Sequence, residues 1–153
     1  MGQLAKKRNL LARKLICRLR RRHHILACFL PVRRGIHKHI WRLHRKLIIE
    51  LARDIPGVTD ETLVDNARKL LDVALINHTN HPNYIRNILT KDWRLSLEGE
   101  KVEPITNIDR KVYRERLERL YAKRGKPRIS SSRKQPKIIV KRKRWVDALS
   151  WQQ

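Results

Sequence analysis

Apolar residues recur at helical spacing through the first half of the chain. Leu4, Leu11, Leu15 and Leu19 are separated by seven, four and four positions, with Lys and Arg on the other faces. Residues 4–30 are therefore expected to form an amphipathic helix. Pro31 ends it, because the residue before a proline is pushed away from helical angles. Gly35 precedes a second stripe, Ile36, Ile40, Leu43, Leu47 and Leu51, which Ile55-Pro56-Gly57 closes. Thr59 offers a hydroxyl N-cap, and Asp60 and Glu61 complement the positive end of the helix it opens. Leu63, Ala67, Leu70, Leu71, Ala74 and Leu75 form the buried stripe of that third helix. After a break at Asn80-His81-Pro82, a short helix runs from Asn83 to Leu89.

The period then changes from helical to alternating. Trp93, Leu95 and Leu97 alternate with Arg94, Ser96 and Glu98, which predicts a half-buried strand with the apolar set inward. Glu98-Gly99 supplies a turn, and Lys101 to Ile105 makes a return strand that Pro104 ends or marks as an edge. Two short strands do not stand alone and must pack on helices. Thr106 or Asn107 caps a last helix bearing Ile108, Val112, Leu117 and Leu120, with Gly125 as its stop. Beyond it, Pro127, Ser130-Ser131-Ser132 and Pro136 among dense bases predict a disordered tail. The expected fold is mainly α (α+β), a compact helical body with one small β-hairpin and basic flanks. Three regions follow: a basic amphipathic segment over 1–30, the folded body over 31–122, and the basic tail over 123–153.

Charge sharpens this picture. Lys and Arg number 38 against 14 Asp and Glu, a formal net charge of +24. Fifteen of the bases precede Glu50 with no acid among them, residues 50–122 carry twelve bases and thirteen acids, and eleven more bases fall between Lys123 and Arg144 without an acid. Two acid-free flanks thus enclose a balanced centre. A chain this basic repels itself when compact and is matched to a polyanion, nucleic acid before an anionic membrane surface. Cys17 and Cys28 are too few for a disulfide framework and fit a reducing, cytoplasmic setting. The order Cys17, His23, His24, Cys28 lacks the paired spacing of zinc modules, so neither a metal nor another cofactor is expected. No stretch approaches the roughly 18 apolar residues of a membrane span. The Arg-rich, acid-free first thirty residues share features with mitochondrial transit peptides, but they hold no serine, and Arg20-Arg21-Arg22 suits a nucleic-acid arm.

Several short motifs occur in a particular order. Ala74-Leu75 is followed by His78-Thr79, by Pro82-x-Tyr84-Ile85, by Trp93-Arg94-Leu95-Ser96-Leu97-Glu98-Gly99 and by a helix from Ile105 through Tyr113 to Leu117. Upstream stands Pro31-Val32-Arg33-Arg34-Gly35-Ile36. In order and spacing this chain resembles the FinO/ProQ family of bacterial RNA chaperones, over about forty-five residues from His78 to Leu120. The family shows an alanine–leucine helix end, an aromatic or His before Thr, a tyrosine, an Arg-hydrophobic-Asp-Leu-Asp-Gly hairpin and a closing helix. It departs from the family in three places. The interval between Gly35 and Thr79 is longer, Asn83 stands where an arginine often precedes the tyrosine, and Ser96 replaces the usual Asp. The resemblance implies a non-catalytic protein that binds structured RNA, such as the stem and 3′ tail of a terminator hairpin. Such proteins stabilise small RNAs and promote their pairing with complementary strands in post-transcriptional regulation, so that small RNAs and messenger 3′ ends are the implied partners.

Candidate contacts follow from both lines of reasoning. Gly35-Ile36-His37-Lys38 opens a helix whose free amides and positive dipole end form an anion site, with Arg33 and Arg34 beside it. His78, Thr79, His81 and Tyr84 fall at a helix junction, where the resemblance implies a pocket for an RNA 3′ end. Alternatively Thr79 caps the next segment and Tyr84 packs in the core, its hydroxyl still on offer. Arg68 and Lys69 lie one turn from Asp65 and Asp72, so an ion-paired face is the default, and the resemblance makes them RNA-facing. Arg86, or Lys91, stands in for the arginine missing at Asn83. Arg94 either meets phosphate or pairs with Glu103 across the hairpin. Trp145 and Trp151 either stack on unpaired bases or dock on the body.

No carboxylate and nucleophile stand at a spacing that suggests catalysis, and no small-molecule substrate is expected. Two rival readings remain. In one, helices joined near Pro56-Gly57 form a helix-turn-helix of a DNA-binding regulator or nucleoid-type protein. In the other, residues 4–30 lie on a membrane surface as a basic amphipathic helix. If the basic flanks screen repulsion between two RNA strands, removing residues 126–153 slows strand annealing and leaves hairpin binding largely intact. Equal annealing rates for the full and shortened chains contradict that role.

Overall fold

The computed structural model describes residues 2–123. Within them the fold is mainly helical with one small antiparallel hairpin. The order is α1 (Gln3–Arg22), α2 (His24–Ala27), α3 (Ile36–Arg53), α4 (Asp60–Thr79), α5 (Pro82–Thr90), β1 (Trp93–Leu95), β2 (Lys101–Pro104) and α6 (Asn107–Lys123). The expected stop at Gly125, the basic tail and the tail tryptophans lie outside the described residues.

α4 is the central element. It packs along α3 on one side and along α1 on another, and meets α5 near its end. Ala67 and Ala74 are fully buried on it and present almost no side-chain bulk, so neighbouring helices approach closely. Leu15 and Leu19 of α1, Ile40 and Ile48 of α3 and Leu70 of α4 fill the shared core. Burying each such aliphatic side chain contributes roughly 2 kcal/mol. The basic N-terminal helix is therefore part of the folded body. Its stripe of Leu11, Ala12, Leu15, Ile16 and Leu19 faces protein, and only Leu4 and Leu10 keep an apolar surface in solvent.

Several expectations about element phase need correction. The helix of residues 4–30 is broken at His23, whose backbone is extended, and the short α2 then tucks Ile25 and Leu26 into the core. In α3 the predicted stripe holds at Ile36, Ile40, Leu47 and Leu51 but is interrupted at Leu43, which is 51% exposed, and Ile48 and Ala52 are buried as well. The cause is a non-helical residue, His44 (φ −123°, ψ 18°), whose ring reaches across to His23 at 2.6 Å between their Nε2 atoms. α6 is rotated too. Ile108 (76% exposed) and Val112 face solvent, and the half-buried side carries Asp109, Tyr113, Leu117 and Leu120.

The hairpin forms where expected but its alternation holds only in part. Leu97 is buried and Leu95 packs against the core as predicted, whereas Trp93 is exposed and Arg94 and Ser96 are buried. A register shift between Arg94 and Leu95 breaks the simple alternation. Gly99 (φ 92°) makes the turn, a backbone region that side chains rarely enter. Val32 adds to the far edge of β1 as a parallel bridge with Leu95, through Leu95 N–H to Pro31 O at 2.8 Å and Arg33 N–H to Leu95 O at 2.9 Å.

One carboxylate holds these parts together. Thr106 and Asp109 cap α6 reciprocally, Asp109 N–H donating to Thr106 Oγ1 and Thr106 N–H to Asp109 Oδ2, each at 3.2 Å. Asp109 Oδ1 also receives Arg94 Nη2 at 3.2 Å and Arg34 Nη2 at 2.9 Å. Burial alone would raise the pKa of Asp109. The Thr106 amide, Arg34, the Thr106 hydroxyl and the charge of Arg94 together hold it below the ordinary carboxylate range.

Arg94 is 5% exposed, and a buried guanidinium stripped of its only carboxylate costs about 3 kcal/mol or more. Asp109→Ala is accordingly expected to lower the unfolding free energy by about 3 kcal/mol in urea titrations. Arg34→Ala removes a cation that is 66% exposed and is expected to cost less than about 1 kcal/mol. Equal losses from the two variants contradict the pinning role of Asp109.

Candidate nucleic-acid interface

α3 begins without a cap. Gly35 occupies the left-handed region (φ 71°), no side chain bonds the first-turn amides, and the first turn holds no acid. The contrast with α4 is direct. There the Thr62 hydroxyl accepts from Thr59 N–H at 3.1 Å, and Asp60 and Glu61 answer the helix dipole. Around the open start of α3 lies a groove of about 630 Å³, lined by Arg33, Arg34, Gly35, His37, Lys38, His39 and Arg42. No acid lines it. Arg34 is held from behind by Asp109, and His39 reaches Glu98 at 3.3 Å. Amide donors, a dipole end and convergent cations give this groove the chemistry that suits an anion.

A second cleft, of about 440 Å³, adjoins the first through His37 and Lys38 and continues between α3 and α4 to Trp41, Arg68, Leu71 and Asp72. The Arg68 guanidinium carbon lies 5.6 Å from the Trp41 ring centre, and that of Arg45 lies at 6.0 Å. Arg68 and Lys69 form no ion pair with Asp65 or Asp72 among the described residues, contrary to the default expectation. Arg68 turns instead toward the indole. Lys69 is exposed and lines neither depression.

Three of the expected contact residues are inside the protein. Tyr84 is buried, and its hydroxyl accepts the Val32 N–H at 3.4 Å. Burial, reinforced by Tyr113, pushes its pKa up to about 12, so it is a neutral phenol. Arg94 does not meet Glu103, although the two are cross-strand partners. It donates to Val32 O at 3.4 Å and pairs with Asp109. His78 is fully buried, with Nδ1 accepting from Arg20 Nη2 at 3.1 Å. All three are engaged by partners within the body. Tyr84 and Arg94 bracket Val32 and so fix the strand that leads into the α3 groove.

The remaining residues are dispersed. Thr79 donates to Ile76 O at 3.2 Å and ends α4. The cap of α5 is His81, whose Nδ1 accepts from Asn83 N–H at 3.3 Å while its ring stacks on Phe29 at 4.2 Å. Arg86 donates to the Tyr121 hydroxyl at 2.7 Å, tying α5 to α6. Sequence reasoning missed Trp41, Arg42, Phe29 and Asp109. Trp41 had a usable signal, being an aromatic one turn beyond His37 and off the apolar stripe. Asp109 had one too, standing three residues after Thr106 in capping-box spacing. Phe29, at φ 54°, had none. It is held by the Arg20 guanidinium 4.3 Å from its ring and by the stacked His78 and His81. Cys17 and Cys28 are exposed thiols, and among the described residues no group of three or more His, Cys, Asp or Glu is placed to hold a metal. No described helix is long and apolar enough to cross a membrane.

Burial first, then the charge of Arg20 and the neighbouring His81, push the pKa of His78 down from 6.5 to about 4. The unfolded chain takes up this proton near 6.5 and the folded chain only near 4, so the unfolded state binds more protons between those values. Stability therefore falls with acidification across that window, by about 3 kcal/mol from this group. His78→Gln keeps an acceptor for Arg20 and does not titrate. Urea midpoints measured from pH 7.5 to about 4 are expected to fall more shallowly in this variant, with a residual slope from His23 and His44, whose pKa values burial also lowers. An unchanged pH profile contradicts the assignment.

Set beside known proteins, the chain matches no family model, no curated protein and no solved structure.

Proposed function

We propose that this chain is a non-catalytic RNA-binding protein that holds a folded transcript at the start of α3. There it stabilises the RNA and promotes its pairing with complementary strands. The observation that carries the reading is the acid-free groove at an uncapped helix start, where Arg33, Arg34, His37, Lys38 and Arg42 converge. Phosphates placed there meet amide donors and displace condensed counterions from the cations. A-form RNA hides its base edges in a deep major groove, so a surface of fixed cations and donors reads its shape, phosphates and 2′-hydroxyls.

The resemblance to the FinO/ProQ family supports the same reading. The segments carrying that resemblance, 31–36 and 93–99, are some sixty residues apart in sequence, yet Val32 and Leu95 bridge. The hydroxyl of Tyr84, a third element of the pattern, bonds the backbone between them. The rival helix-turn-helix centres on Pro56-Gly57, at the far end of α3. Eighteen helical residues, about 27 Å, separate that turn from the groove. The helix that would read DNA opens with Asp60 and Glu61.

Competition in filter binding tests the proposal. A hairpin RNA with a single-stranded 3′ tail is expected to bind in preference to duplex DNA of equal length. Replacing Arg33, Lys38 and Arg42 together with Ala should weaken hairpin binding at least tenfold and make the log–log salt slope shallower by about 2–3. A preference for duplex DNA, or an unchanged salt slope, overturns it.

A further inference from the structure

We propose that the cleft between α3 and α4 receives one unpaired guanine of the bound RNA. This inference rests on the RNA-binding reading and adds to it a base-specific subsite. The cleft differs in kind from the phosphate groove it joins. Its floor is Leu71, which is buried, and one wall is the half-buried indole of Trp41, so an aromatic plane can stack there. Its volume of about 440 Å³ falls within the range of sites for small ligands, roughly 300–1,000 Å³. Lys38, shared by both depressions, and Arg68 stand where the flanking phosphates of a splayed nucleotide would pass.

Asp72 selects the base. It is exposed on the cleft rim, with Arg68 four residues and Lys69 three residues before it on the same helix, and it pairs with neither. Among the described residues Asp72 makes no ion pair or side-chain hydrogen bond. An ionised carboxylate only accepts hydrogen bonds. On a surface built for phosphates it repels the ligand unless donors are brought to it. Guanine alone among the four bases presents two adjacent donors, N1–H and the N2 amino group, on its Watson–Crick edge. Adenine and cytosine place an acceptor nitrogen beside their amino group, and uracil offers a single N–H between two carbonyls. With its ring on Trp41, guanine satisfies both carboxylate oxygens, and the cations of Lys38 and Arg68 neutralise the strand on either side.

The test uses the full chain and a hairpin RNA with a single-stranded uridine tail, in which one guanosine is moved along the tail. At one position guanosine is expected to tighten binding about tenfold over uridine, with inosine, which lacks the N2 amino group, in between. Trp41→Ala should erase that preference, and Trp41→Phe should keep most of it. Asp72→Asn, an exposed change, offers one donor and one acceptor, and should move the preference from guanosine to adenosine, while the loss of the repelling charge tightens the all-uridine RNA. Free guanosine monophosphate at micromolar concentration should not compete, since it lacks the adjoining phosphates, and competition by it would reassign the cleft to a free nucleotide. If none of the RNAs binds, the RNA-binding reading itself fails. If all bind and guanosine gains nothing at any position, or Asp72→Asn leaves its preference unchanged, the guanine subsite alone is overturned.

Discussion

The arrangement turns on one buried charge. Arg94 carries a full positive charge into the interior of a chain whose formal net charge is already +24. An isolated guanidinium there is untenable, because desolvation costs far more than packing returns. Asp109 resolves the conflict while performing a second task, the cap of α6. The same carboxylate steadies Arg34 on the groove side. The cap of the last helix, the buried side of the hairpin and one edge of the α3 groove therefore meet at a single side chain. Tyr84 and Arg94 complete the frame by gripping the backbone of Val32 from both its N–H and its carbonyl.

Acids elsewhere are distributed in the same spirit. Asp92 meets Arg110 at 2.9 Å, Glu98 reaches His39, and Asp60 and Glu61 sit at the start of α4. None is placed along α1 or in the first turn of α3. Repulsion among the unbalanced cations of those two helices is the cost of a surface suited to a polyanion. The core that α1 shares with α4 offsets it, since α1 would otherwise have every electrostatic reason to leave.

Much of the architecture was legible from periodicity. Apart from the break at His23 in the first helix, the long helices, the hairpin and the break before α3 stand where apolar spacing, proline and glycine put them. What the pattern could not convey was rotation. Leu95 and Leu97 do turn inward, but Trp93 looks like part of the same face until Asp109 makes Arg94 the better buried residue, and Ile108 and Val112 look like a core stripe although they face solvent. In α3 the stripe is read correctly except at Leu43, beside the non-helical His44 that contacts His23. The candidate site divides likewise. Arg33, Arg34, Gly35, His37 and Lys38 were legible as one group because an open helix start is a local feature. The burial of His78, Tyr84 and Arg94 depended on partners fifty or more residues away. Trp41 went unnoticed because its significance comes from Arg68, on another helix.

The bridge between Val32 and Leu95 has a bearing on synthesis. Pairing these residues closes a loop of some sixty residues, and the ion pair from Arg34 to Asp109 spans 75. Local helices can form as soon as they leave the ribosome, but such long closures wait for the distant segment to emerge. The groove at the start of α3 is thus among the last features to be assembled on a nascent chain. A product truncated before Asp109 would carry all fifteen bases that precede Glu50 without the carboxylate that Arg34 and Arg94 share.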